Sequence, residues 1–117
     1  MRKIMIVEDN LRARRALKAL ISQQAGINVT AEASNGQEAI CNIRGETPDI
    51  VLMDMRMPVM DGLEATKIIK KNWSQIKVVI LTMYPDCQKE VLSAGADAFL
   101  IKGCSMDEIA STIHSLN

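Results

Sequence analysis

Aromatic residues make up only 3% of this chain, so its interior must be filled by aliphatic side chains and by eight methionines. Histidine occurs once, at His114, and the three cysteines, Cys41, Cys87 and Cys104, form no C-x-x-C pair. The cysteines lack zinc-ligand spacing, and a single histidine argues against a histidine-based metal site. Thiols that are odd in number and unclustered fit a reducing cytosol, and a cytoplasmic location is expected. Basic and acidic residues number 14 each, for a formal net charge of zero, so no overall positive field exists to hold DNA or an anionic membrane. Long apolar runs are missing too. The basic start MRKIMIV is broken at once by Glu8 and Asp9, and every other apolar stretch is far too short for a signal peptide or a membrane span. Repeats, linkers and low-complexity tracts are absent.

What is present is one domain's worth of chain. Its 117 residues are near the common domain size, 48% hydrophobic residues suffice for a core, and 24% charged residues provide a soluble exterior. Short apolar runs, most of them rich in β-branched residues, lie at Ile4–Val7, Ile50–Met53, Val78–Leu81 and Ala98–Ile101. Continuous apolar runs of this length suit strands covered on both faces, as in a parallel sheet. Asn28–Ser34 is weaker and more alternating, as expected of an edge strand.

Helical patterns fill the gaps. Leu11–Ser22 spaces Leu17, Leu20 and Ile21 for one face and sets Arg12, Arg14, Arg15 and Lys18 mostly on the other, where the arginines form a solvated face. A second helix runs from about Gln37 to Arg44, closed by Gly45 and Pro48. A third starts after Asp61, a good N-cap, and carries Leu63, Ile68 and Ile69. The fourth is short, from Asp86 to Ser93, and the last begins at Ser105, where Ser105 and Glu108 match a capping box. Strands alternating with helices through short loops predict an α/β fold, a single doubly wound (βα)5 parallel sheet.

Polar residues sit where the apolar runs stop. Glu8 and Asp9 follow IMIV, Asp54 follows IVLM, Thr82 follows VVIL and Lys102 follows AFLI. In an open parallel sheet the ligand crevice lies beyond the carboxyl ends of the strands, so these groups are expected to converge there. Asp54 is the candidate nucleophile, since a carboxylate can take a phosphoryl group as an acyl phosphate. Crowding Glu8, Asp9 and Asp54 raises the cost of ionising all three, and Mg²⁺ relieves that repulsion. Lys102 brings a compact positive charge to a phosphoryl oxygen, and Thr82 brings a hydroxyl. Taken singly, each has a plainer role. Glu8 and Asp9 could be a loop pair, Asp54 a turn residue, Thr82 a strand-end hydroxyl, Lys102 a solvated charge and Phe99 plain core.

Together the runs IVEDN (Ile6–Asn10), VLMDMRMPVMDG (Val51–Gly62), ILTMY (Ile80–Tyr84) and FLIKG (Phe99–Gly103) resemble the receiver domain of bacterial two-component response regulators, in wording closest to LuxR/NarL-type transcriptional regulators. The resemblance spans residues 1–117 and implies a flavodoxin-like strand order 2-1-3-4-5. It implies a phosphoryl group accepted on Asp54 from a histidine kinase, with Mg²⁺ held directly by Asp9, Asp54 and the Arg56 carbonyl, and by Glu8 through water. Thr82 and Phe99 would act as the switch, biasing a surface of the fourth helix, fifth strand and fifth helix. Arg56 and Tyr84 occupy positions that tune phosphoryl lifetime, here as bulky shields against water. It further implies a kinase-docking role for the first helix and possible homodimerisation on phosphorylation. Contact with DNA would come only through a C-terminal domain absent from this sequence.

One departure stands out: the family commonly has proline after the lysine, often in a cis bond, and this chain has Gly103. A cis bond without proline costs about 2.5–4 kcal/mol, so a looser or trans link is expected. The methionines Met53, Met55, Met57, Met60 and Met83 are read as partly core and partly an adaptable surface. Trp73, His114 and the cysteines are read as structural or incidental. Other functions fit less well. A haloacid-dehalogenase-like phosphatase wants an acid two residues after the nucleophile, where this chain has Arg56. A dinucleotide site wants G-x-G-x-x-G where it has VEDNLRAR. An unphosphorylated pseudo-receiver, acting only as an interaction module, would not need the full set of acids, threonine and lysine.

Overall fold

The computed structural model describes residues 1–116 and forms one five-stranded sheet in the order β2-β1-β3-β4-β5, all parallel. The strands are β1 (Arg2–Val7), β2 (Ile27–Ala33), β3 (Ile50–Met53), β4 (Lys77–Thr82) and β5 (Ala98–Ile101). The helices are α1 (Leu11–Ser22), α2 (Gly36–Gly45), α3 (Gly62–Asn72), α4 (Gln88–Ser93) and α5 (Met106–Ser115). The predicted α/β class and strand order are those observed.

Side chains alternate across the central strands, and both faces are apolar. Met5, Val7, Val51, Met53, Val78 and Ile80 join one core with Ala39, Ile43, Ala65 and Ile69 of α2 and α3. Ile4, Ile6, Ile50, Leu52, Val79 and Leu81 join the other with Ile21 of α1 and Ile109 and Ile113 of α5. Burial on both faces is why these strands read as unbroken apolar runs. Each fully buried Ile or Leu contributes about 1.5–3 kcal/mol to stability.

Local signals set the helix starts. The side chains of Asn10, Asn35, Asp61 and Ser105 accept from the backbone N–H three residues on, capping α1, α2, α3 and α5. Of the expected capping box the Ser105 half is formed, its hydroxyl accepting the Glu108 N–H at 3.1 Å.

Several sequence expectations are corrected. The run Ala98–Ile101 is not covered throughout as its apolar residues suggested: at the edge place that the expected order gave β5, Ile101 is 38% exposed. The fourth helix is split into a 3-10 turn at Pro85–Cys87 and the six-residue α4. Leu20 is 48% exposed, since the buried stripe of α1 centres on Ile21, and Leu20 only lines a cleft of about 230 Å³ with Leu17 and Ile109. Arg14 turns from the solvated face, mostly buried, and bonds the Glu8 carbonyl. Among the methionines, Met53 is fully buried, Met55, Met57 and Met60 pack against the first core, and Met83 is 69% exposed. Among the described residues no helix is long and apolar enough to cross a membrane.

Candidate functional site

The sheet order reverses between β1 and β3, which puts the topological switch point where the acidic residues end their strands. Glu8 and Asp54 are locked to neighbouring strands: the Glu8 N–H donates to Ala33 O at 3.0 Å and the Asp54 N–H to Val7 O at 3.0 Å. The turn that follows β1 is tight. The Asn10 N–H donates to Glu8 Oε2 at 3.0 Å, while Asn10 Oδ1 caps α1 through the Ala13 N–H at 2.9 Å. Glu8 is thus buried, only 4% exposed, while Asp9 stands outward at the rim.

Carboxylate oxygens of Glu8, Asp9 and Asp54 lie within 4.8 Å of one another. Asp54 is oriented from both sides, with Oδ1 accepting the Met55 N–H at 2.7 Å and Oδ2 accepting Lys102 Nζ at 3.0 Å. Lys102 Nζ also donates to Glu8 Oε1. Burial works to lower the Lys102 pKa, but the hydrogen bonds to Glu8 and Asp54 outweigh it and raise the pKa above the ordinary lysine value. Three carboxylates against one ammonium leave a formal charge of −2 in the cup. A hard divalent cation with oxygen ligands and retained waters fits that donor set and that charge.

The other expected residues surround the cup. Thr82 is the last residue of β4 and fully buried. Its carbonyl accepts the Lys102 N–H at 2.8 Å, and its hydroxyl accepts the Tyr84 N–H at 3.4 Å. Arg56 and Tyr84 meet across the site's edge, the guanidinium carbon 3.7 Å from the ring centroid. Phe99 is half-buried on β5. It packs against the first core and lines a cleft of about 430 Å³ with Pro85, Gln88, Ile101, Lys102 and Glu108. The Lys102–Gly103 bond is trans and Gly103 takes φ +100°, a backbone that proline cannot adopt. Glu8, Asp9, Asp54 and Lys102 are therefore brought into one cluster, with Thr82 tied to it through the backbone. Phe99 and the Arg56–Tyr84 pair stand beside it.

Sequence reasoning passed over two contributors. Gly62 donates its N–H to Met55 O at 2.7 Å, and a Cβ there would meet the Asp54 carbonyl oxygen at 2.4 Å. The glycine directly after the N-cap Asp61 was the available signal. Arg14 donates Nη1 to the Glu8 carbonyl at 2.7 Å and Nε to Glu32 Oε1 at 3.3 Å. Nothing local foretold that contact, because Glu32 belongs to a different strand.

Residues 4–114 match the sequence profile of the response regulator receiver domain. The transcriptional regulatory protein LnrK of Bacillus subtilis is 41% identical over 97% of this chain and 54% of its own length. Response regulator protein VraR of Staphylococcus aureus is 40% identical over 95% of this chain and 54% of its own. The chain therefore spans about half the length of the curated relatives it matches. A crystal structure of a LuxR-family two-component response regulator from Aurantimonas superposes with TM-score 0.93 at 32% identity, covering 98% of this chain and 84% of that one. With a profile match over nearly its whole length and relatives at this identity, the chain belongs to the response regulator receiver domains of two-component systems, among relatives named as a transcriptional regulatory protein and a response regulator.

Proposed function

We propose that residues 1–117 form a receiver unit that accepts a phosphoryl group on Asp54 from a histidine kinase, with Mg²⁺, and changes its interaction surface in response. The observation that carries this reading is the cup itself: Asp54 Oδ2 held by Lys102 Nζ at 3.0 Å, within 4.8 Å of the carboxylate oxygens of Glu8 and Asp9. Glu8, Asp9, Asp54 and the Arg56 carbonyl are the residues that would hold the cation. When bound, the cation supplies positive charge that offsets the carboxylates and the incoming phosphoryl oxygens.

The chain's own groups do the rest. An Asp54 oxygen attacks phosphorus as the bond to the donor's imidazole nitrogen breaks, leaving a mixed anhydride on Asp54, while the departing nitrogen keeps the bonding pair and takes a proton from solvent to give neutral imidazole on the donor. The Met55 N–H keeps the carboxylate from rotating, and the Lys102 ammonium meets a phosphoryl oxygen. Thr82, so far satisfied only by a long bond from Tyr84, offers its hydroxyl to another. Its inward draw would free Phe99 to rotate, and Phe99 lines the cleft between α4, β5 and α5.

The output is proposed to be transcriptional, on the strength of the name of the relative LnrK, a transcriptional regulatory protein, with DNA contacted by a part of the protein outside residues 1–117 and homodimerisation as an intermediate step. A cytoplasmic setting belongs to the same proposal, since the three thiols are unpaired. The domain modifies itself and is not proposed to turn over an external substrate. Labelling with acetyl phosphate tests the core claim: a stable phosphoryl adduct should form with Mg²⁺, fail with chelator, and be lost in Asp54→Ala. An adduct that persists in that variant, or none in the native chain, rejects the reading and leaves an interaction module.

A further inference from the structure

Of the three arginines on α1, Arg12 and Arg15 are exposed, while the side chain of Arg14 is only 16% exposed. Its guanidinium spans two acceptors on two strand-bound residues. Nη1 donates to the carbonyl oxygen of Glu8 at 2.7 Å, and Nε donates to Glu32 Oε1 at 3.3 Å. The Glu8 carbonyl belongs to the planar peptide that joins Glu8 to Asp9. Holding that oxygen restrains the rotation of the plane from which both acidic side chains depart. The backbone of Arg14 grips the same turn, its N–H donating to Asn10 O at 2.9 Å.

Glu32 provides the anchor. It sits on β2 in register with Ile6 of β1, and Lys18 Nζ holds its second oxygen at 3.0 Å. Helix, turn and edge strand are thereby tied through one side chain. The guanidinium reaches the two acceptors from two nitrogens held in a fixed fork, Nη1 and Nε, whereas lysine would have to serve both from one nitrogen on a flexible stem and would hold them less firmly.

We propose that Arg14 is a positioning residue for cation binding, clamping the Glu8–Asp9 peptide against β2 through Glu32 so that the acid pair faces Asp54. The proposal rests on the metal-assisted reading above. Partners that orient metal ligands from outside typically change affinity 10- to 100-fold when removed.

Mg²⁺ titration of the unphosphorylated chain, followed by the amide NMR shifts of Asp9, Asn10 and Met55, tests it. Arg14→Ala should weaken Mg²⁺ binding about tenfold, while Arg12→Ala, with the same charge change on the same helix, should match the native chain. Arg14→Lys should recover only part of the loss. Glu32→Gln should weaken binding to a lesser degree, and it carries the test alone if Arg14→Ala does not fold. With acetyl phosphate, the Mg²⁺ requirement should rise in step while the labelling rate at saturating Mg²⁺ stays near native. Native-like affinity in folded Arg14→Ala, or in Glu32→Gln where Arg14→Ala does not fold, overturns the clamp. So does full recovery with Arg14→Lys, or an equal loss in Arg12→Ala, since either assigns the effect to charge alone. No Mg²⁺ response in the native chain removes the metal-assisted reading itself, and the clamp with it.

Discussion

Gly62 and Asp54 are in backbone contact: a Cβ on Gly62 would lie 2.4 Å from the Asp54 carbonyl oxygen and 2.9 Å from the Met55 Cα. Those neighbours are main chain, so neither can move aside by changing rotamer. Gly62→Ala must therefore push the end of β3 away from the start of α3. Overpacking of this kind costs about 1–3 kcal/mol. The same displacement turns Asp54 relative to Lys102. Chemical denaturation should show that loss, and acetyl phosphate labelling should fall well below what the lost stability explains. A variant destabilised yet labelled at the native rate would show that Gly62 serves the fold only.

Arg56 and Tyr84 form the second relationship with a kinetic consequence. An exposed cation–π stack is worth about 0.5–1 kcal/mol, or roughly a two- to fivefold bias toward the closed pair. If the pair screens the phosphorylated Asp54 from water, Arg56→Asn plus Tyr84→Ala should speed dephosphorylation by about that factor. Each single variant should give most of the effect, because either one breaks the stack. Decay of the phosphorylated protein after removal of donor is the measurement. An unchanged rate in the double variant ends the shielding idea.

Much of this was legible beforehand because the signals are local. Runs such as IVLM and AFLI mark strands by their length and by the polar residues that end them, and β3 and β5 fall where they were expected. α1 has the bounds its pattern gave. The acids, threonine and lysine could be placed together because a parallel sheet sends all its carboxyl ends to one side. What escaped depends on contacts between distant segments. Arg14 looked like its neighbours Arg12 and Arg15 until Glu32 and the Glu8 carbonyl were brought beside it. Leu20 looked like core, but the helix presents Ile21 to the sheet and leaves Leu20 at the margin. The exposure of Ile101 depends on what packs beside β5 and cannot be seen in four apolar residues.

Val59 is a β-branched residue at φ 69°, in the loop between β3 and α3, and it is 82% exposed. Left-handed backbone at such a residue stores about 1–3 kcal/mol, and exposure leaves almost no burial to offset it. Asparagine tolerates this region far better and avoids the extra unfolded-state entropy of glycine. Val59→Asn should raise stability by about 1 kcal/mol in chemical denaturation. If the strain also serves to hold Asp61 and Gly62 at the start of α3, labelling of Asp54 will slow in the stabilised variant. A loss of stability would mean that Val59 makes packing contacts that its exposure does not reveal.

Glu32 supplies a pH dependence whose sign can be worked out. Its carboxyl is held below the ordinary glutamate pKa, first by the hydrogen bond from Lys18, with a smaller part from Arg14, and burial opposes both. A carboxylate with a depressed folded pKa adds stability that is fully present above its unfolded pKa. That stability drains away as pH falls through the folded value. The native chain should therefore lose stability on acidification from the ordinary glutamate range downward, and Glu32→Gln should flatten that part of the profile. Because the pair is partly exposed, with side chains 46% and 31% accessible for Lys18 and Glu32, added salt should shrink the difference. Thermal melts across this acidic range, at low and high salt, measure both effects. Parallel profiles for the native chain and Glu32→Gln would show that the ion pairs at β2 add nothing to folding. The role of Glu32 would then be confined to holding Arg14 against the acid-pair turn.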